Sequence, residues 1–178
     1  MFQSVNELDK FSYDDCVLKK LIVSETGLTA RVEALIVDAN NSQNTNYTRS
    51  YAGDSEITFV HGRIDKVVKE GYRYYDANDV LMEEIPDEVL TDEEVETLLT
   101  RLNDVYLYDV QVLKNGQAGN GEQESSVEAS TNQVCVLGIE FPTEDPNDLS
   151  LTADSYQIKV LYESVSVTWE RYMNRVES

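Results

Sequence analysis

An α+β, strand-rich fold is predicted by three observations. Runs of alternating apolar and polar residues recur at short intervals along the chain. Clusters of Gly, Asn, Asp and Pro separate those runs, and only one stretch, Thr91 to about Asn103, has the spacing of an amphipathic helix. Apolar sheet faces and bare sheet edges must both be covered. The expected arrangement is therefore an antiparallel meander of about eight to ten strands, curled into a barrel-like sheet or a sandwich. The 178 residues suit one domain and are enough to enclose a core.

Residues 1–10 are polar and are expected to be loosely held or to form a short helical lead-in. Phe11 to Ser24 gives the first strand signal, with Val17, Leu21 and Val23 alternating against polar residues, while Leu18 and Ile22 blur the pattern. Glu25-Thr26-Gly27 closes a hairpin, and Leu28 to Asp38 returns. That segment also has passable helical spacing, but its β-branched residues and its hairpin context favour a strand. Leu35 and Val37 make its far end apolar on both sides, which predicts cover by another element. Asn40 to Asn46 is a loop by mechanism, because Asn and Ser side chains bond back to nearby main chain. Tyr47–Ala52 and Ser55–His61 read as strands.

Ile64 to Leu102 organises the middle of the chain. Val67 to Asp76 reads as a strand, Asp76-Ala77-Asn78-Asp79 as a turn and Val80 to Ile85 as the return, which Pro86 ends because it cannot donate to a ladder. Thr91 and Glu94 then form a capping box. Val95, Leu98, Leu99 and Leu102 lie at i, i+3, i+4 and i+7, one apolar stripe on a polar helix over about 91–103. Val105 to Leu113 is again a strand, with Tyr106, Tyr108, Val110 and Val112 on one face. Residues 115–132 carry little to bury and are expected to form a flexible connection. Gln133 to Phe141 returns, Pro142 to Ser155 is a polar loop, and Tyr156 to Tyr172 closes the chain. Within that last run Ile158, Val160 and Tyr162 share one parity while Val165, Val167 and Trp169 share the other. Such a phase change near Glu163 predicts a bulge or bend.

A formal net charge of −20, with 14 basic residues scattered among 34 acidic ones, argues against nucleic acid and against an anionic membrane surface. It suits solubility or a basic protein partner. No run of apolar residues is long enough to span a bilayer. The N-terminus lacks the basic start of a secretory signal, and Cys16 and Cys135 are too few for a disulfide framework, so cytoplasmic residence with two free thiols is expected. A bridge between them would staple an early strand to a late one, and sequence leaves that open.

The residues offer little catalytic chemistry. His61 is the single histidine, at a strand end, with no G-x-S-x-G elbow for it to serve. One His and two distant Cys do not make a zinc site. The acidic turn from Asp76 to Glu84 fails the calcium-loop pattern, since Val80 and Leu81 occupy positions five and six, and Glu144 to Asp148 is equally weak. Gly116, Gly119 and Gly121 form G-x-x-G-x-G but lead to no helix and no basic residue. No catalytic residue, cofactor site or metal site is therefore assigned. The remaining signal is aromatic. Tyr72, Arg73, Tyr74 and Tyr75 put rings on both faces of one strand and mark a candidate partner or ligand surface, with packing at the edge of the core as the plainer explanation.

The segments TARVEALIVDANNSQNTNYTRSYAG and VVKEGYRYYDANDVLMEEIPD carry a resemblance. The chain resembles a family of uncharacterised proteins of anaerobic gut Firmicutes, some labelled lantibiotic (subtilin) biosynthesis sensor proteins, best over Phe11 to Leu102. That label implies a histidine kinase, yet this sequence has no glycine-rich ATP lid, no membrane span and its lone His61 on a strand pattern. The resemblance thus implies a bacterial, cytoplasmic origin and brings no activity or residue roles. The expected function is a non-enzymatic, acidic binding protein with a basic protein partner. A β-barrel holding a small apolar ligand and a structural component of a phage-like assembly are the alternatives.

Overall fold

A computed structural model describes residues 1–113, 132–143, 147 and 153–175. The strands are β1 (Phe2–Val5), β2 (Phe11–Ser12), β3 (Val17–Ser24), β4 (Gly27–Glu33), β5 (Ile36–Val37), β6 (Ser50–Ala52), β7 (Ser55–Val60), β8 (Arg63–Lys69), β9 (Tyr72–Tyr75), β10 (Leu81–Ile85) and β11 (Glu88–Val89). After helix α1 (Asp92–Arg101) follow β12 (Val105–Leu113), β13 (Gln133–Glu140), β14 (Ser155–Tyr162), β15 (Ser164–Trp169) and β16 (Tyr172–Arg175). All pairings are antiparallel. Ten strands form one sheet in the order β1-β15-β7-β4-β3-β12-β13-β14-β8-β11, and β16-β6-β5-β2 form a smaller one.

Two bends set the shape of the large sheet. Only His61 and Gly62 separate β7 from β8, and only Glu163 separates β14 from β15. The bends lie side by side, because Ser164 pairs with Val60 and Leu161 with Arg63, and the Glu163 N–H donates to the Val60 carbonyl. Each long strand thus belongs to both halves of the sheet, which folds over on itself like a sandwich. It is not closed into a barrel, since β1 and β11 stand at its two ends, each paired on one side. The phase change expected near Glu163 is this bend. It keeps Ile158, Val160 and Tyr162 before it, and Val165, Val167 and Trp169 after it, all buried.

Apart from Ile36, the buried apolar side chains form one contiguous cluster. α1 starts at Thr91, whose hydroxyl accepts from the Glu94 N–H at 3.3 Å. Its stripe buries Leu98, with Leu102 just beyond the helix end, in the core, while Val95 and Leu99 pack at the margin. Full burial of each leucine contributes about 1.5–3 kcal/mol. The strand expected over 28–38 is divided: β4 stays in the large sheet, the chain kinks at Ala34, and β5 joins the small sheet between β6 and β2, with Leu35, Ile36 and Val37 buried.

Several expectations are corrected. Residues 1–10 are not loosely held: Phe2–Val5 is a strand paired with β15, and Leu8–Lys10 is a single 3-10 turn with Leu8 buried. Glu7 fixes this turn, taking bonds from Ser4, Lys10 and Ser42. In β3 the inward residues are Leu18 and Leu21, because a register shift between Leu18 and Lys20 breaks the alternation. In β12 a bulge between Leu107 and Asp109 likewise divides the expected face. Val105, Leu107 and Val110 turn inward, while Tyr106, Tyr108 and Val112 are exposed. The 40–46 loop forms as expected, but Asn41 and Asn44 are buried. The Asn44 amide donates to the carbonyls of Val37, Asp38 and Thr48 and so replaces ladder bonds that this loop lacks. The connection 115–132, apart from Asn132, and the acidic stretch 144–148, apart from Asn147, lie outside the described residues.

Candidate interaction surface

The strand expected from Val67 to Asp76 is divided. β8 ends at Lys69, and after Glu70 and Gly71 the chain enters β9, which pairs only with β10 as a separate two-stranded sheet. The division has a visible root. The Gly71 N–H donates to the Asp87 carboxylate at 2.7 Å. Glu70 is held on the large sheet, its N–H donating to the Ser155 carbonyl and its carboxylate accepting from Tyr108 and Gln157. Beyond this root β11 rejoins β8 through Val89 opposite Val68.

At the far end the turn forms as its residues predict. Asp76 Oδ1 accepts from the Asn78 and Val80 N–H groups at 2.8 and 3.0 Å, and Asp79 takes a positive φ of 59°. Main-chain donors occupy the very carboxylate that a calcium reading would need. Among the described residues no group of three His, Cys, Asp or Glu side chains could hold a metal ion.

The register sorts the side chains between two faces. Ile85 opposes Tyr72 and Glu83 opposes Tyr74, so these four share one face, where the Tyr72 and Tyr74 rings meet edge-on at 5.3 Å. Leu81 opposes Tyr75 and Glu84 opposes Arg73 on the other, and Met82 sits at the bulge. Arg73 donates to Glu84 at 3.0 Å through both Nε and Nη2. Bonding to Tyr75, then the charge of Glu84, raises the Arg73 pKa further. Tyr72 is raised by loss of water, then by Glu83.

All four residues singled out from the sequence, Tyr72, Arg73, Tyr74 and Tyr75, therefore lie together on this hairpin. None of the four belongs to the buried cluster: Tyr75 is 52% exposed, and beside them Leu81 is 46% and Met82 67% exposed. Sequence inspection missed the β10 side, Leu81, Met82 and Ile85. Val80 to Ile85 reads as the return strand of a hairpin, and nothing local in it says that no layer covers these side chains.

Other features gather less. His61 stands exposed at the bend, its Nδ1 bonded to Glu163 Oε2. Cys16 and Cys135 are free and buried, and burial pushes each thiol up to about 12. Within the core the Phe59 and Tyr162 rings meet edge-on at 5.2 Å. Two adjoining surface clefts, of about 470 and 460 Å³, share Glu33, Asp54 and Glu170. Among the described residues no helix is long and apolar enough to cross a membrane. No family model, curated protein or solved structure matches this chain, and the hairpin is interpreted from its own geometry and charge.

Proposed function

We propose that this chain is a non-enzymatic interaction protein of the cytoplasm that presents the β9–β10 hairpin to a basic protein partner. One observation carries the proposal: the hairpin stands off the large sheet with apolar side chains exposed on both faces. A two-stranded hairpin on its own is marginal in water, and exposed apolar patches mark contact sites. Tyr, Met and Arg are the residue types enriched at interfaces. The charge selects the partner. Residues 72–89 hold one Arg against six carboxylates, a net −5 within a chain of −20. Such a surface repels acidic proteins and attracts basic ones, with faster association at low salt.

The test replaces residues 72–85 with a short Asn-Gly turn that leaves β8 and β11 paired. The full chain, immobilised, is expected to retain basic proteins at low salt and release them at high salt. The shortened chain is expected to lose that retention while keeping its unfolding temperature. Equal retention by both chains would overturn the proposal.

A further inference from the structure

We infer that the hairpin is an insert and not a platform: its partner presents a two-walled groove, apolar inside and basic at the rim, which encloses both hairpin faces at once. The inference rests on the binding role proposed above and adds the shape and chemistry of the partner.

The argument begins with the faces. A strand pair that docks on a flat surface needs one apolar face and leaves the other polar, because strand side chains alternate. Here Tyr72, Tyr74 and Ile85 occupy one face, and Tyr75 and Leu81 the other. Every residue of β10 is exposed, and so are three of the four in β9. Neither long edge of the pair is taken by another strand among the described residues. Only a site with walls on two sides removes both apolar faces from water, and such a site also reaches the main-chain groups along the edges.

The charges weigh against a second copy as the site. Glu83 and Glu84 lie on opposite faces of β10, and Asp76, Asp79 and Asp87 flank its ends. The two adjoining clefts described above share Glu33, Asp54 and Glu170. Inserting the hairpin into either cleft of another copy would set its carboxylates against mostly acidic linings, since Lys19 and Arg31 in one are already paired with Glu33 and Glu56 and Arg171 in the other stands among Glu33, Asp54 and Glu170. The Arg73–Glu84 pair already satisfies one of the two β10 carboxylates internally. Glu83 and the acidic ends are left to meet Lys or Arg at the groove rim, which is where exposed charges steer association.

The test places a photoreactive benzoylphenylalanine at Tyr74 or at Tyr75, on opposite faces, with Val23 on the large sheet as the background position. Each full-length variant is irradiated in a lysate of the source cells, and the product is identified by mass. The expected result is one and the same basic protein at both positions, joined through two opposing walls of one groove and absent at Val23. Against that purified protein, Tyr74→Ala and Tyr75→Ala are each expected to weaken binding about tenfold, with an unchanged far-ultraviolet spectrum. Linkage or weakening at only one position overturns the two-walled groove and leaves the binding role standing. An acidic product, or a dimer of this chain, overturns the partner chemistry. No product above the Val23 background removes the groove, and hairpin-independent retention of basic proteins would remove the binding role separately.

Discussion

The main-chain nitrogen of Gly71 lies 2.7 Å from the Asp87 carboxylate, and a Cβ on Gly71 would sit 1.9 Å from the Ile85 carbonyl oxygen. The hairpin thus leaves the large sheet through a crossing that only a residue without a side chain permits. Gly71→Ala is expected to splay the two strands at their root. Because β9 and β10 contribute nothing to the buried cluster, the displacement should be felt locally. Amide exchange over Tyr72–Tyr75 and Leu81–Ile85 is expected to accelerate, with the exchange of β13 and β14 unchanged. Acceleration across the large sheet as well would show that the hairpin root supports the core.

Glu7 gives the fold an acid-sensitive joint. Burial by itself would raise its carboxyl, but hydrogen bonds from Ser4, Ser42 and Lys10 together outweigh that and hold it at about 2, from an ordinary 4.5. A carboxyl depressed in the folded state stabilises the fold above its unfolded value, and the gain is lost as pH falls from about 4.5 towards 2. The side chain is 11% exposed, so the contribution is on the order of 3 kcal/mol at neutral pH. Glu7→Gln is expected to be less stable than the parent at pH 7 in urea unfolding. The gap should narrow as the pH falls through about 4 to 3. A gap independent of pH would mean that packing, and not charge, sets the role of Glu7.

Much of this architecture was legible because strand signals are local. The hairpin at Gly27, the helix begun by Thr91 and the phase change at Glu163 each depend on a few neighbouring residues. What escaped is longer in range. The β1 strand exists only because β15 lies beside it, and no property of Phe2–Val5 announces that partner. Register shifts in β3 and β12 put Leu18 and Leu21, and likewise Leu107 and Val110, on the inward side three residues apart, and alternation counted along one strand cannot see a shift made against its neighbour. The candidate surface was half legible for the same reason. Tyr72 to Tyr75 drew attention as a cluster, while the exposure of Leu81 and Ile85 depends on where the hairpin stands relative to the sheet.

The two thiols are expected to be inert in the folded chain. Cys16 and Cys135 are 1% and 0% exposed, and the buried setting raises each to about 12, so little thiolate is present at neutral pH. A thiol-reactive reporter such as dithionitrobenzoate should label neither cysteine in native buffer and both in denaturant. Rapid native labelling of either would place it at a surface that opens on the timescale of the assay.

Leu98 and Leu81 offer the sharpest contrast between core and hairpin. Leu98 faces the sheet from α1 and is 3% exposed, so Leu98→Ala leaves a cavity and is expected to cost about 2–5 kcal/mol. Leu81 has the same side chain on β10 but stands in solvent, and Leu81→Ala is expected to change stability by no more than about 0.5 kcal/mol. Chemical denaturation of the two variants under the same conditions measures the difference directly. The comparison also probes the proposed role, because a leucine kept exposed without benefit to folding calls for a use outside the chain. If Leu81→Ala costs as much as Leu98→Ala, the hairpin packs on the body of the protein in solution, its faces are not free, and the case for a docking element falls.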